Sequence, residues 1–261
     1  MPESSARLPT AFIGPGSPTN ALEDNRHTQA WRALGLRLPK PKAVLVVSAH
    51  WYVAGTAVTA MAQPRTIHDF YGFAPELYAY EYPAPGEPAL AERVRALLEG
   101  VDVERDESWG LDHGAWSVLA HLYPKADVPV IQLSIDGTKP APFHLEVGRK
   151  LAPLRDEGVL LLGSGNVVHN LRVMRRTDEA PPFDWALEFN AKLRERLLAH
   201  DAQALANPVQ FGDAMRLSIP TPEHYLPLLY SAGAAREDDR VEVVTDGIEL
   251  GSISMLSVRF G

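Results

Sequence analysis

The chain contains no cysteine, which excludes disulfides, thiolate metal ligands, iron–sulfur clusters and a cysteine nucleophile together. Any metal must then be held by His, Asp, Glu or backbone oxygen. Concentrated positive charge is missing too: 25 basic residues stand against 33 acidic ones for a formal net charge of -8, and no Lys/Arg cluster could track a phosphate backbone. Nucleic acid is not an expected partner. No apolar run reaches the length of a membrane span, and the start MPESSARLPTAFIG has no basic flank followed by a long apolar segment. The expectation is a soluble, cytoplasmic protein with no membrane partner. Internal repeats, low-complexity tracts and linkers are also lacking. With 261 residues and 46% hydrophobic side chains, the chain reads as one α/β domain over 1–261.

Two apolar runs end in polar residues: AVLVVSA leads into His50 and VLLLGSGNVV into His169. Such runs predict buried parallel strands that deliver polar groups to the carboxyl edge of a sheet, where α/β folds bind ligands. Further strands are expected at 10–13, at 56–62 as a neighbour of 43–48, at 128–134, 241–244 and 253–258. Helices are expected at 22–34, 88–98, from His113, at 143–154 and at 184–198. Thr221 is expected to cap another helix, with Pro222, Glu223 and His224 in its first turn and Pro227 kinking or shortening it. The fold class is α/β, a central mainly parallel mixed sheet with helices on both faces. Between Met61 and Gly86, Pro64, Pro75, Pro83 and Pro85 break structure while Phe70, Tyr71, Phe73, Tyr78, Tyr80 and Tyr82 supply rings. That composition gives a long ordered loop, either covering a pocket or pinned to the body by its aromatics.

Nine histidines are present. His27, His121, His144 and His200 fall within or beside expected helices with no polar constellation around them, and read as structural. His50, His68, His113, His169 and His224 lie at element ends or in loops rich in Gly, Pro, Asn or Asp, where ligands are more often carried. Three imidazoles converging on one ion would suit Fe(II) or Zn(II), which accept nitrogen donors and leave positions open for substrate. The alternative from spacing alone is one or two histidines hydrogen-bonding to loop backbone.

The ordered series LPTAFIGPGSPTNALEDN, VVSAHW, TIHDFYGF, YPAPG, WGLDHGAW, VPVIQLSID, GSGNVVHNL, TPEHYLPLLY and GSISMLSV resembles the class III extradiol ring-cleaving dioxygenases, and within them the bacterial 4,5-DOPA extradiol dioxygenase group. The resemblance covers nearly the whole chain. It implies the α/β fold of the extradiol dioxygenases in a single catalytic-type domain, and insertion of both atoms of O₂ into a catechol such as DOPA. Fe(II) would serve activity, with Zn(II) able to occupy the same histidines. By matching motif, His50, His224 and His169 are implied as metal ligands, and His169 and His113 as catalytic residues, His169 acting as ligand or as acid/base. His68, Tyr71, Phe73 and Trp116 are expected to line the substrate pocket. The partners implied are a small catechol and O₂, in a monomer or homodimer.

One position departs from the pattern. The family's first ligand comes from G-H-G-S-P, and here Gly14, Pro15, Gly16, Ser17 and Pro18 occupy that stretch. Pro15 has no side-chain donor. Three outcomes stay open at this point: a retained metal site of altered geometry, a scaffold without this chemistry, or a zinc-dependent hydrolase whose bound water is acidified to a pKa of about 7.

Overall fold

The computed structural model describes residues 7–177 and 180–261, and among them lie twelve strands and nine α-helices. The strands are β1 (Thr10–Ile13), β2 (Ala43–Ser48), β3 (Tyr52–Val53), β4 (Thr56–Thr59), β5 (Val103–Asp106), β6 (Val130–Gln132), β7 (Ile135–Asp136), β8 (Val159–Ser164), β9 (Val241–Thr245), β10 (Ile248–Glu249), β11 (Ile253–Ser254) and β12 (Ser257–Phe260). The helices are α1 (Arg26–Arg37), α2 (Pro75–Tyr78), α3 (Pro88–Leu97), α4 (His113–Leu122), α5 (Ala141–Leu151), α6 (Asp184–Leu198), α7 (Ala202–Leu205), α8 (Asp213–Ser218) and α9 (Leu226–Ala234).

The central sheet runs β6-β2-β8-β1-β12-β9. Its first four strands are mutually parallel, and β12 and β9 close one side antiparallel. Because successive side chains of a strand face opposite ways, β2 divides its residues between two cores. Ala43, Leu45 and Val47 join Leu145, Leu151, Leu228 and Leu229 from α5 and α9. Val44 and Val46 join Trp31 and Leu34 of α1 and Ala115 and Leu119 of α4. Burial on both faces explains why these strands read as unbroken apolar runs. Ser48 pairs with Ser164, and Ile13 with the same Ser164, so three parallel strands end level and their next residues share one edge.

Several expectations are corrected. The segment 56–62 does not extend the main sheet: β4 pairs in parallel with β5 in a separate two-stranded ribbon. The helix expected at 22–34 starts later, at Arg26, where the Asn25 side chain accepts from the His27 and Thr28 amides in a capping box; Pro18–Ala21 is a 3₁₀ turn. Thr221 caps no helix. Residues 222–225 form a turn, α9 begins at Leu226, and Pro227 sits in its first turn, where proline's missing N–H breaks no helical bond. The stretch read for a leader lies, through residue 6, outside the described residues. Among the described residues no helix is long and apolar enough to cross a membrane.

Candidate metal and catalytic site

His50 follows β2 by two residues, and the turn that carries it is drawn tight by the Ser48 hydroxyl, which accepts the His50 amide at 3.3 Å. His113 opens α4. Its helix start lies so close to β2 that a Cβ on Gly114 would fall 2.4 Å from Ser48 Oγ and 2.9 Å from His50 Cδ2. Glycine is required there by contact, and the result is that the His50 and His113 rings sit with centroids 3.8 Å apart.

His169 lies beyond β8 in a loop fastened from two sides. Its amide donates to Ser218 O at 2.9 Å, and Asn166 Nδ2 donates to Ser254 O at 2.7 Å. His224 occupies the turn before α9, over Gly165, whose missing side chain admits the His224 carbonyl. The two rings stack at 3.5 Å and 13°. His224 also meets His50 edge-on at 5.3 Å, so His50, His113, His169 and His224 form one connected group of rings at the carboxyl edge of the sheet.

A carboxylate that sequence reasoning missed completes the group. Asp69, in the TIHDF stretch of the aromatic loop, sets Oδ2 3.2 Å from His50 Nδ1 and Oδ1 2.9 Å from His113 Nδ1. The same Oδ1 accepts the His113 amide at 3.0 Å. The loop is in register because Ile67 and Leu111 exchange backbone bonds with Leu111 and Arg65 (Ile67 N to Leu111 O, Leu111 N to Arg65 O). Asp69, His50 and His113 offer donor atoms all within 4.8 Å of one another, an arrangement able to hold a metal ion. The only hint in sequence was an acid beside a loop histidine, His68, and that histidine turns elsewhere: its Nε2 lies 2.8 Å from Tyr80 O.

The electrostatics follow from burial and from the shared carboxylate. For His50, burial opposes the charged form, but Asp69, Asp112 and Glu223 outweigh it and raise the pKa. For His113 burial wins and the pKa falls, despite Asp69. Burial also works against ionisation of Asp69, yet the two histidines hold its carboxyl well below the usual range. Burial, reinforced by His50 and His113, lowers His169 to about 4, and burial reinforced by His169, His50 and His113 takes His224 well below the ordinary value. His169 is therefore neutral at neutral pH, with a lone pair available as a base.

The other residues expected around the site divide. Phe73 is half-buried and packs edge-on against Phe70 at 5.3 Å. Phe70, not singled out from sequence, presents its ring edge-on to His113 at 5.5 Å. Tyr71 is 93% exposed, turned to solvent rather than to the histidines. Trp116 is fully buried, stacked on Tyr80 at 5.2 Å with its Nε1 donating to Ile67 O; it anchors the loop from beneath and presents no accessible wall. The aromatic loop is thus pinned to the body, as Tyr82 Oη donating to Tyr123 O also shows. Pro15 is buried in the turn after β1, its carbonyl accepting from Asn20 Nδ2 at 2.9 Å. It contributes no side-chain donor, and the group of His50, Asp69 and His113 does not include it.

The family model of the catalytic LigB subunit of aromatic ring-opening dioxygenases matches residues 12–261. The chain belongs to this family. It is 52% identical to the 4,5-DOPA dioxygenase extradiol of Escherichia coli, over 99% of this chain and 96% of that protein, and 36% identical to the protein of the same name in Beta vulgaris, over 96% of each. A crystal structure of an uncharacterized protein from Escherichia coli superposes with a TM-score of 0.86 at 48% identity, covering 98% of this chain and 100% of that one. The chain is an extradiol-type ring-opening dioxygenase for catechol-like substrates, working with a divalent metal and O₂. The family and the relatives favour a dioxygenase over the inactive-scaffold and zinc-hydrolase readings, and His50, Asp69 and His113 are able to hold a metal ion with no donor at position 15.

Proposed function

We propose that the protein cleaves the ring of a DOPA-like catechol outside its two hydroxyls, with ferrous iron as the working metal. The observation that carries this reading is the meeting of two histidines and a carboxylate at the sheet edge, with His169 and His224 stacked beside them. The donor set fits such an ion: it is composed of nitrogen and oxygen only, and the buried Nδ1 of His224 has no hydrogen-bond partner among the described residues. Two imidazoles and one carboxylate leave positions for both catechol oxygens and O₂. When bound, the iron supplies the path by which electron density passes from ring to O₂.

The chain's own residues handle protons, orientation and water. His169, held neutral by burial, is placed to take a proton from a catechol hydroxyl and to return one to the ring-opened product. His113 faces the substrate from the start of α4, its ring fixed by Asp69 and flanked by Phe70. His224 and His50 border the same space. His68 and Phe73 belong to the loop that walls it, and the aromatic packing of that loop excludes water from one side. The 4,5-DOPA names of the relatives support DOPA itself as the first substrate to try, and the chain's lack of a membrane-crossing helix among the described residues is in keeping with work in the cytoplasm.

The test is to load the anaerobic protein with Fe(II), measure iron per chain, and follow O₂ uptake and ring-opened product over a small panel of catechols including DOPA. Near-stoichiometric iron and oxygen-dependent ring opening are expected. A folded protein that binds iron yet opens none of the catechols overturns the substrate assignment, and activity with Zn(II) in place of iron overturns the choice of metal.

A further inference from the structure

Beneath His50 and His113 lies a carboxylate that, among the described residues, is bonded to neutral donors alone. Asp112 is wholly buried. Its oxygens accept from Ser48 Oγ at 2.7 Å, from Gln132 Nε2 at 2.8 Å and from the Ala115 amide at 3.1 Å, while its own amide donates to Gln132 Oε1 at 2.9 Å. Gln132 is itself anchored, its amide donating to Thr59 Oγ1 at 2.8 Å. No arginine or lysine joins this network in any of these bonds. A buried charge so placed is costly unless a positive charge stands near. Asp112 acts electrostatically on two histidines, His50 and His113.

The network also ties the ligand-bearing elements together. Ser48 ends β2, Gln132 ends β6, and Asp112 caps α4. The Ser48 hydroxyl that donates to Asp112 accepts the amide of His50, and Ser164, at the end of β8, donates to Gly114 O at 2.6 Å. Three parallel strand ends thus grip the first turn of the helix that carries His113. We propose that Asp112 is a positioning residue for the metal centre: through Ser48 and Gln132 it fixes the spacing of His50 and His113, and its buried negative charge is matched by the divalent cation those residues hold. The inference rests on the proposed metal role of His50 and His113.

The bonding pattern itself supplies a discriminating pair of variants. In Asp112→Asn the new amide donor faces the Gln132 Nε2 donor, and two donors in opposition open the network. Adding Gln132→Glu turns that partner into an acceptor, so every hydrogen bond is restored and the negative charge stays within the same network. Ser48→Ala removes the link to His50 with little change of volume. The full-length protein and its variants would be titrated anaerobically with Co(II), reading the visible ligand-field spectrum and the affinity, with circular dichroism as the check of folding. The expected result is a loss of at least about 10-fold in affinity for Asp112→Asn, in the range seen when groups that orient metal ligands are removed, with an altered spectrum. Asp112→Asn/Gln132→Glu should return to within a few-fold of the unmodified protein with its spectrum restored, and Ser48→Ala should weaken binding several-fold.

Folded Ser48→Ala and Asp112→Asn proteins that bind Co(II) with unchanged affinity and spectrum overturn the proposal. So does a folded double variant that binds as weakly as Asp112→Asn. If Asp112→Asn does not fold, Ser48→Ala and the double variant decide by the same criteria. An unmodified protein that takes up no Co(II) removes the metal reading and this inference with it, whereas normal uptake by every variant removes only the inference.

Discussion

Asp69 grips His113 at two points, accepting its backbone amide at 3.0 Å and standing 2.9 Å from its Nδ1 with the same oxygen, Oδ1. The second oxygen reaches His50 at 3.2 Å. One loop carboxylate thereby sets the start of a helix and the relation of two imidazoles from different elements.

Replacing Asp69 with Ala is expected to reduce metal affinity by at least about 10-fold, whether the carboxylate binds the ion or orients the rings that do. Loss of its bond to the helix start should also cost about 1 kcal/mol of stability. Metal titration and thermal unfolding of the same preparation check both. Unchanged affinity in a folded Asp69→Ala protein removes Asp69 from the centre.

His169→Gln separates two roles for one residue. If the imidazole moves protons, the variant keeps its metal stoichiometry and loses about 10²- to 10⁴-fold in kcat, which is the expected outcome. Steady-state kinetics beside metal analysis reads it. Loss of the metal together with turnover would make His169 a ligand instead.

Arg155 and Asp239 form a fully buried ion pair at 2.6 Å, and the same guanidinium donates to Leu8 O and Ala234 O. The pair joins the segment before β1 to the end of α9. Asp239→Ala leaves an unpaired buried charge and should cost about 3–5 kcal/mol in denaturant unfolding. The Arg155→Met/Asp239→Leu pair should recover much of that loss, and metal affinity should be unaffected in either folded protein. A small effect of Asp239→Ala would mean that water reaches the guanidinium.

His144 is buried against Tyr230, its Nδ1 2.8 Å from the hydroxyl, and burial lowers its pKa from 6.5 to about 4. Between those values the unfolded chain takes a proton that the native chain refuses. Stability must therefore fall as pH drops through that window, with a limiting slope of about 1.4 kcal/mol per pH unit from this one group. Unfolding curves of the metal-free protein across the window should show the slope, and His144→Gln should make it shallower. An identical slope in the variant would show that other groups set it.

Much of this was legible in the chain. The parallel strands at 43–48 and 159–164 were announced by unbroken apolar runs, because a strand buried on both faces has no polar side to alternate. The positions of His50 and His169 just beyond those runs placed them at one sheet edge from the order of residues alone. The strand at 56–59 was recognisable as a strand but not as the partner of 103–106, since β propensity is local while pairing depends on which elements fill the sheet beside it. Pro227 misled for a related reason: proline breaks a helix only in its interior, and nothing local says where the helix begins.

The ordered motifs, the absence of cysteine and the donor lost at Pro15 are properties of the sequence by itself, and they determined the fold class, the family and the restriction of any metal site to nitrogen and oxygen ligands. Only the tertiary structure decided that Asp69 joins His50 and His113, that Tyr71 faces solvent while Phe70 meets His113, and that Asp112 lies buried beneath the centre. The physical reason is range. Composition and periodicity act over one or two turns of chain, whereas the grouping of Asp69 with two histidines depends on a loop, a strand end and a helix start being packed against one another across the sheet edge.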